Sequence, residues 1–145
     1  MKQFWRNMIE AVIDTNVIVA GLRSRQGYSF ELIQRMYAGE FQPIVSVPLV
    51  FEYESLLTKI FVPQVYSGED IEGVVDSLCS IAKKQDIYYL WRPMLKDPYD
   101  DHILELALAA GCKNIVTYNL KDFINVEDLG IRVIKPYDFI QFLEG

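Results

Sequence analysis

Histidine, cysteine, glycine-rich loops and surplus positive charge are scarce or missing in this chain of 145 residues. The one histidine, His102, falls in a helical pattern beside Glu105 and Ala109 on what reads as the outward face. That argues against a hydrolase built on a nucleophile and a histidine base. Cys79 and Cys112 lie far apart and match no metal-binding spacing, so they read as small hydrophobes of an intracellular protein. No G-x-G-x-x-G or G-K-[ST] phosphate loop occurs, and Gly27 and Gly39 stand alone. No apolar run reaches the roughly 20 residues of a membrane helix. The start, Met1 to Asn7, has no apolar segment before a cleavage site, so the expected compartment is the cytoplasm. The net charge of −6 argues against a non-specific nucleic-acid coat. It leaves open an enzyme acting on nucleic acid, because a cluster of metal-binding carboxylates is itself acidic.

What is present is a folded composition, 51% hydrophobic and 23% charged, at a length that suits one domain. Residues 1–8 read as an N-terminal extension and 9–145 as the domain. Ala11 to Ile13 reads as a buried strand followed by a turn at Asp14-Thr15-Asn16. Ser29 is expected to cap a helix to about Tyr37. Pro43 to Val47 reads as a strand, and Pro48 suits the first turn of a helix to about Ile60. Ser67 to Asp70 resembles a capping signal for a helix to about Lys84. Ile87 to Trp91 is the expected third strand, and Asp97-Pro98 opens a helix ending before Gly111. Asn114 to Thr117 and Ile131 to Ile134 complete the strands, and a last helix runs from about Tyr137 to Leu143. Strands alternating with helices predict an α/β domain with a mostly parallel central sheet and helices on both faces.

In such a sheet the carboxyl ends of the strands form the ligand edge, and the acids collect there. Asp14 follows the first strand. Glu52 flanks the expected core stripe Leu49, Tyr53, Leu56 and Ile60 of the helix after the second, whereas Glu54 faces outward. Asp97, Asp100 and Asp101 follow the third. On the helix after Pro98, Ile103, Leu106, Ala107 and Ala110 make the inner face. Asp100 projects inward with them, Asp97 lies one turn earlier, and Asp101 lies on a flank. Asn119 and Asp122 follow the fourth strand. Two carboxylates about 4 Å apart repel by roughly 4 kcal/mol at an effective dielectric of 20, so such a cluster calls for protonation or a cation. All-oxygen ligands suit Mg²⁺ or Mn²⁺, and these ions activate water against phosphodiesters. Taken singly, each acid also fits a capping role: Asp97 as N-cap, Pro98 at the first position, and Asp100 beside the helix dipole. The set argues for a site. Tyr88, Tyr89 and Trp91 read as strand packing rather than as a base-stacking surface.

From Ile9 to about Phe142 the chain resembles the PIN domain, the fold shared by VapC-type toxins and other ribonucleases. The resemblance is carried by Val12-Ile13-Asp14-Thr15-Asn16-Val17, by Ser46-Val47-Pro48 to Glu52-Tyr53, by Asp97 to Ala107, and by Ile115 to Asn119 with Asp122-Phe123. The Asp97–Asp101 stretch is similar to the toxin-component PIN subgroup of toxin–antitoxin systems. The resemblance implies strand order 3-2-1-4-5 and a Mg²⁺- or Mn²⁺-dependent endonuclease for single-stranded RNA. It also implies dimers and a small antitoxin partner. Asp14, Glu52 and Asp100 would be catalytic and would hold metal together with Asp97 and Asn119. Thr15, Asn16, Asp101, Thr117 and Asp122 would support them. Asn119 stands where the family often has an acid, and it brings a ligand oxygen without charge. Two rivals have less support. A phosphoreceiver domain would need paired acids after the first strand and an Asp ending the third, where Trp91-Arg92 stands, and a D-x-D phosphatase lacks its second Asp at Asn16. The alternative of another kind is a non-catalytic PIN-like module that binds RNA or protein.

Overall fold

The structure, a computed structural model, describes residues 8–62, 66–87, 98–124 and 126–145, with only the backbone for 98–101. Five strands are described: β1 (Glu10–Ile13), β2 (Gln42–Val45), β3 (Lys83–Lys84), β4 (Asn114–Val116) and β5 (Arg132–Ile134). All pair in parallel in the order β3-β2-β1-β4-β5. The expected α/β architecture and strand order are therefore those of the molecule. Among the described residues six α-helices accompany the strands: α1 (Thr15–Arg23), α2 (Tyr28–Tyr37), α3 (Val47–Phe61), α4 (Gly68–Ile81), α5 (Pro98–Ala110) and α6 (Pro136–Glu144).

The central strand is apolar on both faces, with Ala11, Val12 and Ile13 all buried, as a parallel strand covered by helices requires. Its register against β4 pairs Val12 with Ile115 and Ile13 with Val116. The ladder runs one step further, because the Asp14 N–H donates to the Val116 carbonyl at 2.9 Å. Asp14 thus leaves the sheet beside Thr117.

The sequence reading differs from the fold in several places. α1 occupies a stretch read only as a turn. Its Val17-Ile18-Val19 run disfavours helix by a few tenths of a kcal/mol per residue, and burial of all three outweighs that. Ser29 lies inside α2, whose N-cap is Gly27. α4 stops at Ile81 rather than at Lys84, and β3 is Lys83–Lys84, ahead of the expected Ile87 to Trp91. Two exposed lysines carry no apolar signal; charge of this kind protects a sheet edge from pairing with other chains. The Gln42 side chain seals the turn there, donating to the Ile81 carbonyl at 2.7 Å. Ile87 is outside any strand, and 88–91 lie outside the described residues.

α3 begins at the carboxyl end of β2, where Ser46 Oγ accepts the Leu49 N–H at 3.2 Å and Pro48 sits in the first turn. Such a cap contributes about 1 kcal/mol. Its buried stripe is Leu49, Tyr53, Leu57 and Phe61. Leu56 and Ile60 pack only partly, so the stripe drifts one residue from the expected line.

Candidate metal centre

Asp14 is the N-cap of α1, and the residue is buried, 8% exposed. Oδ1 accepts the Thr15 N–H at 2.8 Å, and Oδ2 accepts the Thr117 hydroxyl at 2.8 Å. The Asn16 amide donates to the Thr117 hydroxyl at 3.2 Å and reaches Asp14 Oδ2 at 3.4 Å. Asn16 is held in turn by its own oxygen, which accepts the Tyr118 N–H at 3.2 Å.

Glu52 arrives from α3, three residues beyond the buried Leu49, and is half-buried. Its Oε2 accepts the Thr15 hydroxyl at 2.5 Å, so Thr15 joins both acids, Asp14 through its backbone and Glu52 through its side chain. The next residue of α3, Tyr53, is buried, and its hydroxyl donates to the Ile13 carbonyl at 2.5 Å. Burial, with the Asp14 and Glu52 charges adding to it, pushes the Tyr53 phenol well above its usual range. It remains a donor.

The two acids are tuned in opposite directions. Burial raises the Asp14 pKa, and the negative charge of Glu52 adds to it, against the lowering by the Thr117 and Thr15 hydrogen bonds. Burial also pulls Glu52 up, but His102 and the Thr15 hydroxyl outweigh it and hold the group below its ordinary value.

His102 corrects the sequence reading. Its side chain is 13% exposed, and Nε2 lies 3.8 Å from Glu52 Oε1, an ion-pair rather than a hydrogen-bond distance. Nδ1 is buried without a hydrogen-bond partner among the described residues. Glu105, also expected outward, is 7% exposed. The reason is that α5 packs against β1, β2, β4 and α3 together. Residues 103–107 are consequently buried all round the helix, and a one-stripe reading of its periodicity does not apply.

Asn119 is exposed, and its backbone N–H donates to the Thr117 hydroxyl at 3.0 Å. Asp122 is half-buried in the 3₁₀ turn Leu120–Phe123, its N–H bonded to the Asn119 carbonyl at 3.1 Å. The backbone of Asp100 and Asp101 lies in the first turn of α5. Their side chains, and all of Asp97, fall outside the described residues, as do Tyr88, Tyr89 and Trp91. The structure therefore brings together Asp14, Thr15, Asn16, Glu52 and Thr117, adds His102, and sets Asn119 alongside through its backbone. Among the described residues no group of three or more Asp, Glu, His or Cys is gathered as a metal cage. The donors that are described suit a hard cation: two carboxylates linked through one threonine, one of them desolvated and hard to ionise by itself.

The sequence reading passed over the tyrosine that carries Asn16. Tyr118 directly follows Thr117, and only that adjacency could have singled it out.

A family model of the PIN domain matches residues 10–121. No curated protein sequence matches the chain. Among solved structures, a chain of VapBC2 from Rickettsia felis, bound to a DNA fragment from the promoter, superimposes with a TM-score of 0.58 at 14% identity, covering 86% of this chain and 98% of that one. A chain of VapBC-1 from nontypeable Haemophilus influenzae gives a TM-score of 0.59 at 14% identity, covering 89% and 99%. These likenesses are of fold.

Proposed function

The chain belongs to the PIN domain family, and from that premise we propose that it is a Mg²⁺- or Mn²⁺-dependent endoribonuclease for single-stranded RNA. The observation that carries this reading is Asp14, a buried carboxylate at the carboxyl edge of the sheet whose ionisation burial and Glu52 both oppose. A cation is the natural counter-charge for such a group.

Asp14 and Glu52 would hold the ion, with Asp100 and Asp97 supplied from the start of α5 and the Asn119 amide as a neutral ligand. A bound ion would polarise the phosphodiester and make a water nucleophilic near neutral pH. The chain's own part is orientation. Thr15 and Thr117 fix the carboxylate planes of Glu52 and Asp14, and Asn16 braces Thr117. Such supporting bonds around ligands commonly govern metal affinity. Asp101 and Asp122 are proposed as further support. His102 beside Glu52 favours the ionised form of that carboxylate.

The toxin role, with a small antitoxin as partner, rests on the two similar structures being VapBC complexes; a homodimer is proposed from the family resemblance alone. No helix among the described residues is long and apolar enough to cross a membrane, which is compatible with a cytoplasmic site of action.

The test is cleavage of single-stranded RNA by the purified chain with Mn²⁺, with chelator, and by Asp14→Asn. Loss of cleavage in both latter cases is expected, and cleavage undiminished in the variant overturns the assignment. Asn119 in the place of an acid favours a second reading, a PIN-like module that binds without cutting; RNA binding without cleavage at any metal concentration would select it.

A further inference from the structure

Three partly exposed tyrosines border the carboxyl edge of β4 and β5. Tyr118 follows β4, Tyr137 stands in the first turn of α6 directly after β5, and Tyr28 opens α2. They are 41%, 45% and 53% exposed, respectively. The rings are linked rather than scattered. Tyr28 and Tyr137 meet edge to face with centroids 4.6 Å apart. The neighbouring Ser29 is buried, and its hydroxyl lies 2.5 Å from the Tyr118 hydroxyl. The Tyr118 backbone in turn holds Asn16, which reaches Thr117 and Asp14. An unbroken run of contacts thus leads from the Asp14 carboxylate out to Tyr137.

Basic residues neighbour Tyr28 and Tyr137 in sequence, and Asp138 follows Tyr137. Arg23 ends α1, Arg25 lies in the loop ahead of Tyr28, and Lys135 stands at the N-cap position of α6, two residues before Tyr137. All three are exposed and have no ion-pair partner among the described residues. In a chain of net charge −6, unpaired cations flanking exposed rings are not the average surface. Rings for base faces, with cations for the phosphates between them, are what sequence-tolerant single-strand binding uses.

We propose that Tyr28, Tyr118 and Tyr137 form a stacking platform for unpaired nucleobases of the RNA strand leading away from the cleaved phosphodiester. This rests on the nuclease reading above and adds a base-binding track to it. The platform recognises base faces rather than edges, and so sets strandedness rather than sequence.

The experiment is fluorescence anisotropy with a labelled oligouridine and the full chain, in an Asp14→Asn background that prevents turnover. Adding Tyr28→Ala with Tyr137→Ala should weaken binding about tenfold or more, whereas Tyr28→Phe with Tyr137→Phe should retain it. An abasic strand of equal length should bind the Tyr and Ala chains alike. Equal oligouridine affinity of the Ala and Tyr chains overturns the platform, as does a loss shared in full by the abasic strand. If the Ala pair leaves RNA affinity intact and impairs only capture of a protein partner, the surface is a protein interface and the proposal falls. If the Ala pair melts early, the single Ala variants are measured in its place and read by the same criteria. Cleavage by the wild-type chain is scored separately, so failure of the nuclease reading and failure of the platform are distinguishable.

Discussion

The two edges of the sheet handle charge in opposite ways. At the amino edge, half-buried and exposed acids are paired with cations. Arg35, in the last turn of α2, meets Glu31, Glu40 and Glu144 at 2.9, 3.1 and 2.7 Å, and Lys83 meets Glu10 at 3.2 Å. At the carboxyl edge, Asp14 is buried, accepts only neutral donors, and has no cation in salt-bridge contact among the described residues. Glu52 accepts the Thr15 hydroxyl and, among the described residues, faces no lysine or arginine, only the ring of His102 at 3.8 Å. Exposed pairs contribute little and weaken with salt. A desolvated carboxylate beside another acid costs stability, and a fold retains such a cost where function uses it.

The largest effect that would break this contrast is on catalysis. Asp14→Asn should lower Mn²⁺-dependent RNA cleavage by about a thousandfold, matching the loss of several kcal/mol of charge stabilisation. A variant within tenfold of wild type in single-turnover assays would place the chemistry elsewhere.

Next comes stability. At about 100 times its dissociation constant, Mg²⁺ or Mn²⁺ should stabilise the wild type by roughly 2.7 kcal/mol and Asp14→Asn far less. Thermal melts with and without metal measure it, and a shift common to both chains would mean the ion binds elsewhere.

His102→Ala should weaken metal binding by about tenfold, the usual scale for a residue that orients a ligand. Titration calorimetry would read it, and His102→Gln, which keeps a donor facing Glu52, should recover part of the loss.

A subtler sharpening is the pH dependence without metal. The folded-state pKa of Asp14 is raised, so its charge destabilises the fold above that pKa, and the penalty is relieved as pH falls toward the ordinary aspartate range. Asp14→Asn should therefore melt at or above the wild-type temperature near neutral pH, and that advantage should vanish on acidification. Glu52 contributes in the opposite direction in both chains, its lowered pKa adding stability at neutral pH that is lost in acid. The smallest effect belongs to the other edge: Arg35→Ala should shift melting only slightly, less in high salt, and leave cleavage unchanged. A large loss of activity from that variant would erase the distinction between the edges.

Much of the fold could be read along the chain. Short apolar runs alternating with capped helical stretches implied a parallel sheet, and the Ser67–Asp70 capping box is present as expected. α1 was illegible because a β-branched run reads as strand or turn until its burial is known. β3 was misplaced because two lysines on an exposed edge carry no hydrophobic pattern. Asp14 and Glu52 could be picked out, Asp14 by following an apolar strand and Glu52 by flanking a helix stripe. His102 could not, since α5 is covered on more than one side and the usual inside–outside periodicity fails there.

What the amino-acid order determined by itself was local: where β1, β2 and β4 lie, which residues follow them, and hence that Asp14 and Glu52 would share one edge. The reason is that turn chemistry and hydrophobic spacing act over a few residues. Only the tertiary structure decided which groups meet across long separations. The β1–β4 register sets Thr117 on Asp14, the packing of α5 against α3 turns His102 to Glu52, and the seating of α2 brings Ser29 to Tyr118. Those contacts join residues 50 to more than 100 positions apart, where no spacing rule reaches and only the shared core holds them in place.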